Sequence, residues 1–385
     1  MFASPVKVLF LLFLVLKITT TFSSTVVTLA DGKATFPDGS TREVGVFSSQ
    51  IQDLLNYFEP VDAEAMRLTT FYNSSVLRYL DISGEYFVDT PLSLPSMFVL
   101  RAVGSSLSFS LAPNATVPSD SPSSLVHISA GVSYSAVLGG TFDATADAAW
   151  EAIRIEDGTH NSVRSVTALS HVFEAWKSTV TIRGGTRNEL SHSLIDGGDK
   201  AGRCAWTIAT SYALVHDNVI QKCIGHVLDL DAYTSSSAAY NNLIQDTGEG
   251  NTVGGGQAIF VEETASGNFV FNNTLRNNFN GVAVYSLTVG PVAGNIIANN
   301  VIEKTVNIGV SSGGGDANYT NHAEDNVFVG NKVSGSGEAD CQVMHGHVVG
   351  DYWVGNEAGD GGDLKWMGTE GYANPTSKNV TVFEP

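Results

Sequence analysis

The sequence predicts an all-β chain wound as a single-stranded parallel β-helix solenoid, and three observations predict it. First, one phrase returns five times after residue 215: an Asn, two residues that are mostly aliphatic, then a polar turn. It reads Asn218-Val-Ile, Asn242-Leu-Ile, Asn273-Thr-Leu, Asn300-Val-Ile and, more loosely, Asn331-Lys-Val, at intervals of 24, 31, 27 and 31 residues. Repeats of this length mark stacked units, each able to bury its apolar edge only against its neighbours. Second, the intervening segments are short Val, Ile, Leu, Phe and Tyr runs separated by Gly, Asn, Ser and Asp, which is strand and turn chemistry rather than the 3.6-residue period of helical repeats. Third, about 24 residues accommodate three short strands and three turns, one coil of a β-helix with a rise of ~4.8 Å set by strand hydrogen bonding. Asn suits the corner, because it tolerates left-handed backbone and its amide can donate and accept along a ladder of identical amides.

Residues 1–23 read as a secretory signal: Lys7 supplies the positive start, Val8 to Leu16 is an apolar run of nine, and Thr21 and Ser23 offer small residues for cleavage. Residues 24–75 form an N-terminal cap region. Within it, residues 25 to 45 suggest a strand pair around Asp38-Gly39, and Ser48-Ser-Gln-Ile-Gln-Asp-Leu-Leu-Asn-Tyr-Phe suggests a short amphipathic helix with a Ser cap, followed by Pro60. An open first coil would present unpaired edges, so the helix is expected to lie over it. Coils are expected over 76–350, and Pro113 to Ser124 is polar enough for a projecting loop. Residues 351–385, with Trp353, Trp366 and Tyr372, would close the other end.

With Tyr79-Leu-Asp-Ile-Ser-Gly-Glu-Tyr-Phe-Val, Leu92-Ser-Leu-Pro-Ser-Met-Phe-Val-Leu and Ala136-Val-Leu-Gly-Gly-Thr-Phe-Asp as upstream coils, the chain resembles the right-handed parallel β-helix proteins of the pectin-lyase-like superfamily. The resemblance covers roughly residues 76 to 350 and implies right-handed winding and a polysaccharide substrate. It carries over no catalytic residue. The sequence has neither the Asn-Thr-Asp, Asp-Asp, His-Gly and Arg-Ile-Lys set of polygalacturonases nor the Asp-Pro-His-Asp motif of bacterial alginate epimerases.

The formal net charge of −19 becomes −21 once Lys7 and Lys17 leave with the signal segment. Such a field disfavours nucleic acid, and also polyanionic glycans unless a cation intervenes. No later stretch approaches 18 uninterrupted apolar residues, so no membrane span is expected. Sequons at Asn73, Asn114, Asn272, Asn318 and Asn379 fit a glycosylated product. Cys204, Cys223 and Cys341 allow at most one disulfide; Cys204 and Cys223 are placed to face each other in adjacent coils, or to pack as free thiols. A monomer is the default expectation.

Aligning the coils on inward pairs Trp206/Ile208, Leu228/Leu230, Ile259/Val261, Val282/Val284 and Ile308/Val310 sends the next residue of each outward. The outward column then reads Ala209, Asp231, Glu262, Tyr285 and Ser311, with Thr207, Asp229, Phe260 and Ala283 beside it. Two carboxylates one rung apart should lie roughly 5 Å from each other, and close like charges drive their pKa values apart. Asp231 and Glu262 are therefore the candidate acid/base and nucleophile of a glycosidase. Asp229 and Glu263 join them in the acidic patch, and Phe260 and Tyr285 are the aromatics that would stack on sugar faces. The same carboxylates, Asp231 and Glu262 above all, would suit Ca²⁺. The competing reading is that these acidic groups are merely solvated.

His226 shares parity with Leu228 and is read as a structural histidine or, alternatively, a base. His345 and His347 face one way in a strand but lack a visible third metal ligand. Lys177, Arg183, Arg187, Lys200 and Arg203 form a basic cluster that would neutralise a uronate or simply coat a solvated face. The Gly254-Gly255-Gly256 and Gly313-Gly314-Gly315 runs lack phosphate-loop spacing and read as turns. Three functions follow: a secreted enzyme cleaving an extracellular polysaccharide, a Ca²⁺-assisted polyuronate lyase or C5-epimerase with Tyr285 or His226 as base, or a non-catalytic wall, matrix or glycan-binding rod.

Overall fold

The computed structural model describes residues 26–57, 77–113, 115, 123–173, 177–248, 256–314, 321–337, 339–343, 348–359, 364–366 and 381–383. The signal segment, Gly254, Gly255, Gly315, His345, His347, Tyr372 and the sequons at Asn73, Asn114, Asn318 and Asn379 lie outside them.

Each coil contributes three strands, and successive coils stack them into three parallel faces. The widest face, whose strands reach seven residues where those of the middle coils on the other two have three, holds eleven parallel strands, from Leu92–Leu94 to Leu364–Trp366. A second runs from Ala136–Leu138 through Leu214–His216 to Tyr352–Val354, and a third from Thr141–Ala144 through Val219–Gln221 to Glu357–Ala358. Strict register fills the interior with columns of like residues. One runs Val163, Leu190, Val215, Ala239, Val270, Ile297, Phe328. Another runs Ala168, Ile195, Ile220, Ile244, Leu275, Ile302, all fully buried. Near the start Tyr86, Phe109 and Phe142 stack ring on ring at 5.5 Å per step.

The expected Asn ladder is present and longer than the phrase revealed. Side-chain Nδ2 groups donate to the next Oδ1 from Asn218 through Asn242, Asn273, Asn300 and Asn331 to Asn356, at 2.8 to 3.0 Å. Each Oδ1 also accepts the preceding Asn backbone N–H, and each Nδ2 also donates to a backbone carbonyl such as Ala239 O, so every amide is saturated. One expectation fails: these Asn residues are not the left-handed ones. The positive φ falls on the residue before each, at Asp217, Asn241, Asn272 and Asn299. A second ladder, unanticipated, runs Asn268, Asn295, Asn326 and ends on Asp351.

At the start, Lys33–Thr35 and Thr41–Glu43 pair antiparallel about Asp38-Gly39, and Val26–Ala30 joins the stack as a rung beside Arg78–Val88. Helix α1, Ser48–Tyr57, buries Ile51, Leu54 and Leu55 in the core. Its first turn is capped from outside rather than by its own Ser. Asp89 accepts the Ser49 N–H at 3.0 Å and the Ser48 and Ser49 hydroxyls at 2.8 and 2.7 Å. Burial raises the Asp89 pKa, but these hydrogen bonds outweigh it and hold the carboxyl below its ordinary value. Parallel pairing continues beyond residue 350 through Leu364–Trp366 and Thr381–Phe383. No helix among the described residues is long and apolar enough to cross a membrane.

Candidate active site

The site is built on the outward side of the widest face by Arg203–Ile208, His226–Leu230, Gln257–Glu262 and Asn280–Ser286. Rung pairing aligns Ala205, Leu228, Ile259 and Val282 in one column, and Thr207, Leu230, Val261 and Val284 in the next. The three middle coils thus have the expected inward pairs. The first does not: Ala205 and Thr207, not Trp206 and Ile208, hold the inward register, beside the buried Cys204–Cys223 disulfide. In the last coil Gly313, not Ser311, pairs with Tyr285, a slip of two residues. Trp206 consequently stands outward, directly below Asp229 and then Phe260.

Arg203 organises three carboxylates. Its Nε donates to Asp229 Oδ2 at 2.8 Å, its Nη2 lies 3.9 Å from Glu262 Oε1, and its guanidinium covers the Trp206 ring at 5.2 Å. Trp206 Nε1–H donates to Asp231 Oδ2 at 2.9 Å, and the Ala232 N–H donates to Asp231 Oδ1 at 2.5 Å. One oxygen from each of Asp229, Asp231 and Glu262 lies within 4.8 Å of the others. Their relative exposures are 0, 5 and 7%, so the reading of these groups as solvated is overturned. They point away from the solenoid interior yet are covered by their neighbours.

Burial with one cation among three carboxyl groups dictates their protonation. Burial raises Glu262, and the charges of Asp229 and Asp231 raise it further, far past neutrality. Burial also raises Asp229, against the pull of Arg203. Arg203 is the nearer to Asp229, so the proton shared by this pair resides on Glu262. Asp229 Oδ1 is buried and takes no N–H or hydroxyl hydrogen bond, while Glu262 lies within hydrogen-bond reach, so the Glu262 proton fills that place. Asp231 is pushed to about 6 by burial and then by Asp229, and is ionised above that pH.

Burial, then Arg203, depresses His226 to about 4, so the ring is neutral. It packs at 4.5 Å against Phe260, which occupies the aromatic face expected to meet a sugar. Tyr285 is half-buried beside Glu262, and burial raises its phenol above the ordinary value. Glu263, left-handed at φ 54°, accepts the Thr288 and Val289 N–H groups at 3.0 and 2.9 Å and anchors the turn that follows. Ca²⁺, which takes six to eight oxygens, does not fit this set as it stands: Arg203 occupies the place beside Asp229 and Glu262 keeps its proton, so three carboxyl groups and the guanidinium together present one net negative charge.

The basic cluster does not assemble. Arg203 enters the site, whereas Lys177 binds Ser123 Oγ and Ala149 O, Arg183 approaches Glu156, and Arg187 contacts His160 and the Tyr212 ring. Arg203 and Trp206 are the site residues that sequence reasoning missed. The signal was available in the alternation itself, since starting the coil one residue earlier puts Trp206 beside Asp229. Upstream on the same sheet, Arg154 bridges Glu151 at 3.1 Å and Glu156 at 3.4 Å in a second buried charge network.

A family model described as "Right handed beta helix region" matches residues 143–289. No curated protein sequence matches the chain. Among solved structures, the polygalacturonase from Erwinia carotovora ssp. carotovora is 14% identical with TM-score 0.57, covering 95% of this chain and 98% of its own. The Dettilon tailspike protein is 12% identical with TM-score 0.57, covering 73% of this chain, which spans only 56% of the tailspike chain. The alginate lyase from Paenibacillus sp. str. FPU-7 is 11% identical with TM-score 0.50, covering 87% of this chain and 96% of its own. By fold, the chain is a right-handed parallel β-helix.

Proposed function

We propose that the chain is an exported carbohydrate-active enzyme that cleaves glycosidic bonds of a polysaccharide lying along the outer side of the widest face. The carrying observation is a pair of carboxyl groups on adjacent rungs, within 4.8 Å of each other, which burial and the neighbouring carboxylate charge push to different degrees, Asp231 to about 6 and Glu262 far past neutrality. Glu262 keeps a proton and serves as general acid to the leaving-group oxygen. Asp231, ionised above about pH 6, attacks the anomeric carbon. Carboxyl groups this close match the retaining geometry of about 5 to 5.5 Å, whereas inversion needs about 6.5 to 9.5 Å to admit a water. Water then displaces the sugar from Asp231, giving its proton to Glu262 and restoring both groups. Asp231 and Glu262 keep a sliver of exposure while Asp229 has none, so Asp229 is a positioning residue.

The fold shared with a polygalacturonase and an alginate lyase supports the substrate class, though fold alone does not fix chemistry. The apolar run from Val8 to Leu16 and the Cys204–Cys223 disulfide support export to an oxidising space. The test is incubation with neutral and uronate polysaccharides, with and without chelator, following reducing ends and ultraviolet absorbance together. Reducing ends without absorbance, insensitive to chelator and abolished by Asp231→Asn, are the expected result. An unsaturated, absorbing product would replace hydrolysis by elimination, and silence over a broad panel would leave a non-catalytic rod.

A further inference from the structure

The second face carries a side-chain cluster unconnected with the carboxylate site. His192 and Asp217 occupy the same left-handed corner in successive coils, at φ 53° and 55°, and His216 precedes Asp217 at the end of Leu214–His216. The ring nitrogens of His192 and His216 and a carboxylate oxygen of Asp217 all lie within 4.8 Å of one another. We propose that these three residues form a binding site for a first-row transition-metal dication, of which Zn²⁺ is the representative. Two imidazoles and one carboxylate are the ligand set of Zn²⁺, Ni²⁺ or Cu²⁺, not of Ca²⁺ or Mg²⁺.

The hydrogen bonding of His216 is the independent observation. Its Nδ1 lies 2.6 Å from Asp217 Oδ2, and its Nε2 lies 3.1 Å from Glu189 Oε1. A neutral imidazole has one N–H, so it cannot donate to carboxylates on both sides. The shorter contact places an N–H on Nδ1, aimed at Asp217. A cation that replaces that proton takes the Nδ1 lone pair beside Asp217 and His192 and leaves Nε2–H to donate to Glu189, which the Ser191 hydroxyl holds in place at 2.7 Å. A carboxylate holding the far nitrogen of a ligating histidine is the usual outer-shell support of such sites. Tyr240 stacks on the His216 ring at 4.6 Å and 3°, fixing its plane, and Asn241 Nδ2 donates to Asp217 Oδ1 at 3.3 Å.

The reach is right. Ligand atoms around a four-coordinate Zn²⁺ stand about 3.3 Å apart. Asp217 Oδ2 lies 2.6 Å from His216 Nδ1 and 3.9 Å from His192 Nε2, so shifts of under about 1 Å in two half-exposed side chains complete the shell. The side chains of His192 and Asp217 are 48 and 35% exposed, leaving coordination positions open to water or a ligand anion.

The test is titration of the tag-free full chain, freed of metal with chelator, with ZnCl₂ in a calorimeter, with CaCl₂ and MgCl₂ run in parallel. One Zn²⁺ per chain is expected, with no response to Ca²⁺ or Mg²⁺. His192→Ala and Asp217→Asn, exposed changes whose folding is verified by circular dichroism, should each weaken Zn²⁺ at least tenfold. Glu189→Gln should weaken it about 10-fold or more without changing stoichiometry. Absence of Zn²⁺ binding would mean that His216 is simply a doubly hydrogen-bonded imidazolium, and equal binding by the variants would put the ion elsewhere; either overturns the site.

Discussion

Replacing Glu262 by Gln should abolish glycan cleavage and at the same time stabilise the protein. The unfolded carboxyl titrates at 4.5, whereas in the folded chain burial, then Asp229 and Asp231, keeps the proton on well past pH 7. Folding at pH 7 must therefore take up one proton from a solution in which the unfolded side chain is ionised. Over the 2.5 pH units between 4.5 and 7 this costs 1.36 kcal/mol per unit, or about 3 kcal/mol. The sign is that of a raised acid: its penalty is absent below pH 4.5 and grows as pH rises above it, because the native state then binds more protons than the unfolded one. Gln is the neutral isostere of the protonated acid, with an N–H to offer Asp229 in place of the O–H. Urea denaturation of both proteins from pH 4 to 8 is the assay. The variant should match the parent near pH 4 and exceed it by about 3 kcal/mol at pH 7. A stability difference that does not grow with pH would refute the protonated state of Glu262, and with it the general-acid assignment. Retained activity would refute the assignment alone.

Further outcomes follow from the same structure. Cleavage should rise as pH climbs through about 6 while Asp231 ionises, a limb that a pH–rate profile records directly. Arg203→Met leaves Asp229 without its 2.8 Å partner, and should cost about 3 kcal/mol or more in urea denaturation together with the activity. Asn273→Ala removes four hydrogen bonds, from the Asn242 N–H and Nδ2 and to Ala239 O and Asn300 Oδ1, for roughly 4 kcal/mol at about 1 kcal/mol each; Asn356→Ala at the ladder's end removes three and should cost about 3 kcal/mol by the same measurement. Opening the Cys204–Cys223 bridge, with its sequence separation of 19, by paired Ser substitutions should lower stability by about 3 kcal/mol.

The Asn phrase, with the strand-and-turn runs between its repeats, determined the architecture, because an amide ladder and a one-coil period are local facts: each Asn must recur where the previous one stood. The second ladder was legible too, since Asn268, Asn295 and Asn326 each precede a phrase Asn by five residues. Alternation within single strands placed Asp229, Asp231 and Glu262 on one outward patch, as rung pairing through Leu228, Ile259 and Leu230, Val261 bears out. The charge state of that patch was not legible. It depends on Arg203 and Trp206, which come from a coil whose small inward residues, Ala205 and Thr207, gave no hydrophobic mark of register. Burial of the three carboxylates is likewise a property of what neighbouring coils lay over them, and the His192, His216 and Asp217 cluster exists only because residues 24 or 25 apart in sequence stand one rung apart in space. The period fixes the stack; which side chains meet across it, and hence which protons they hold, is decided by inter-coil register and desolvation.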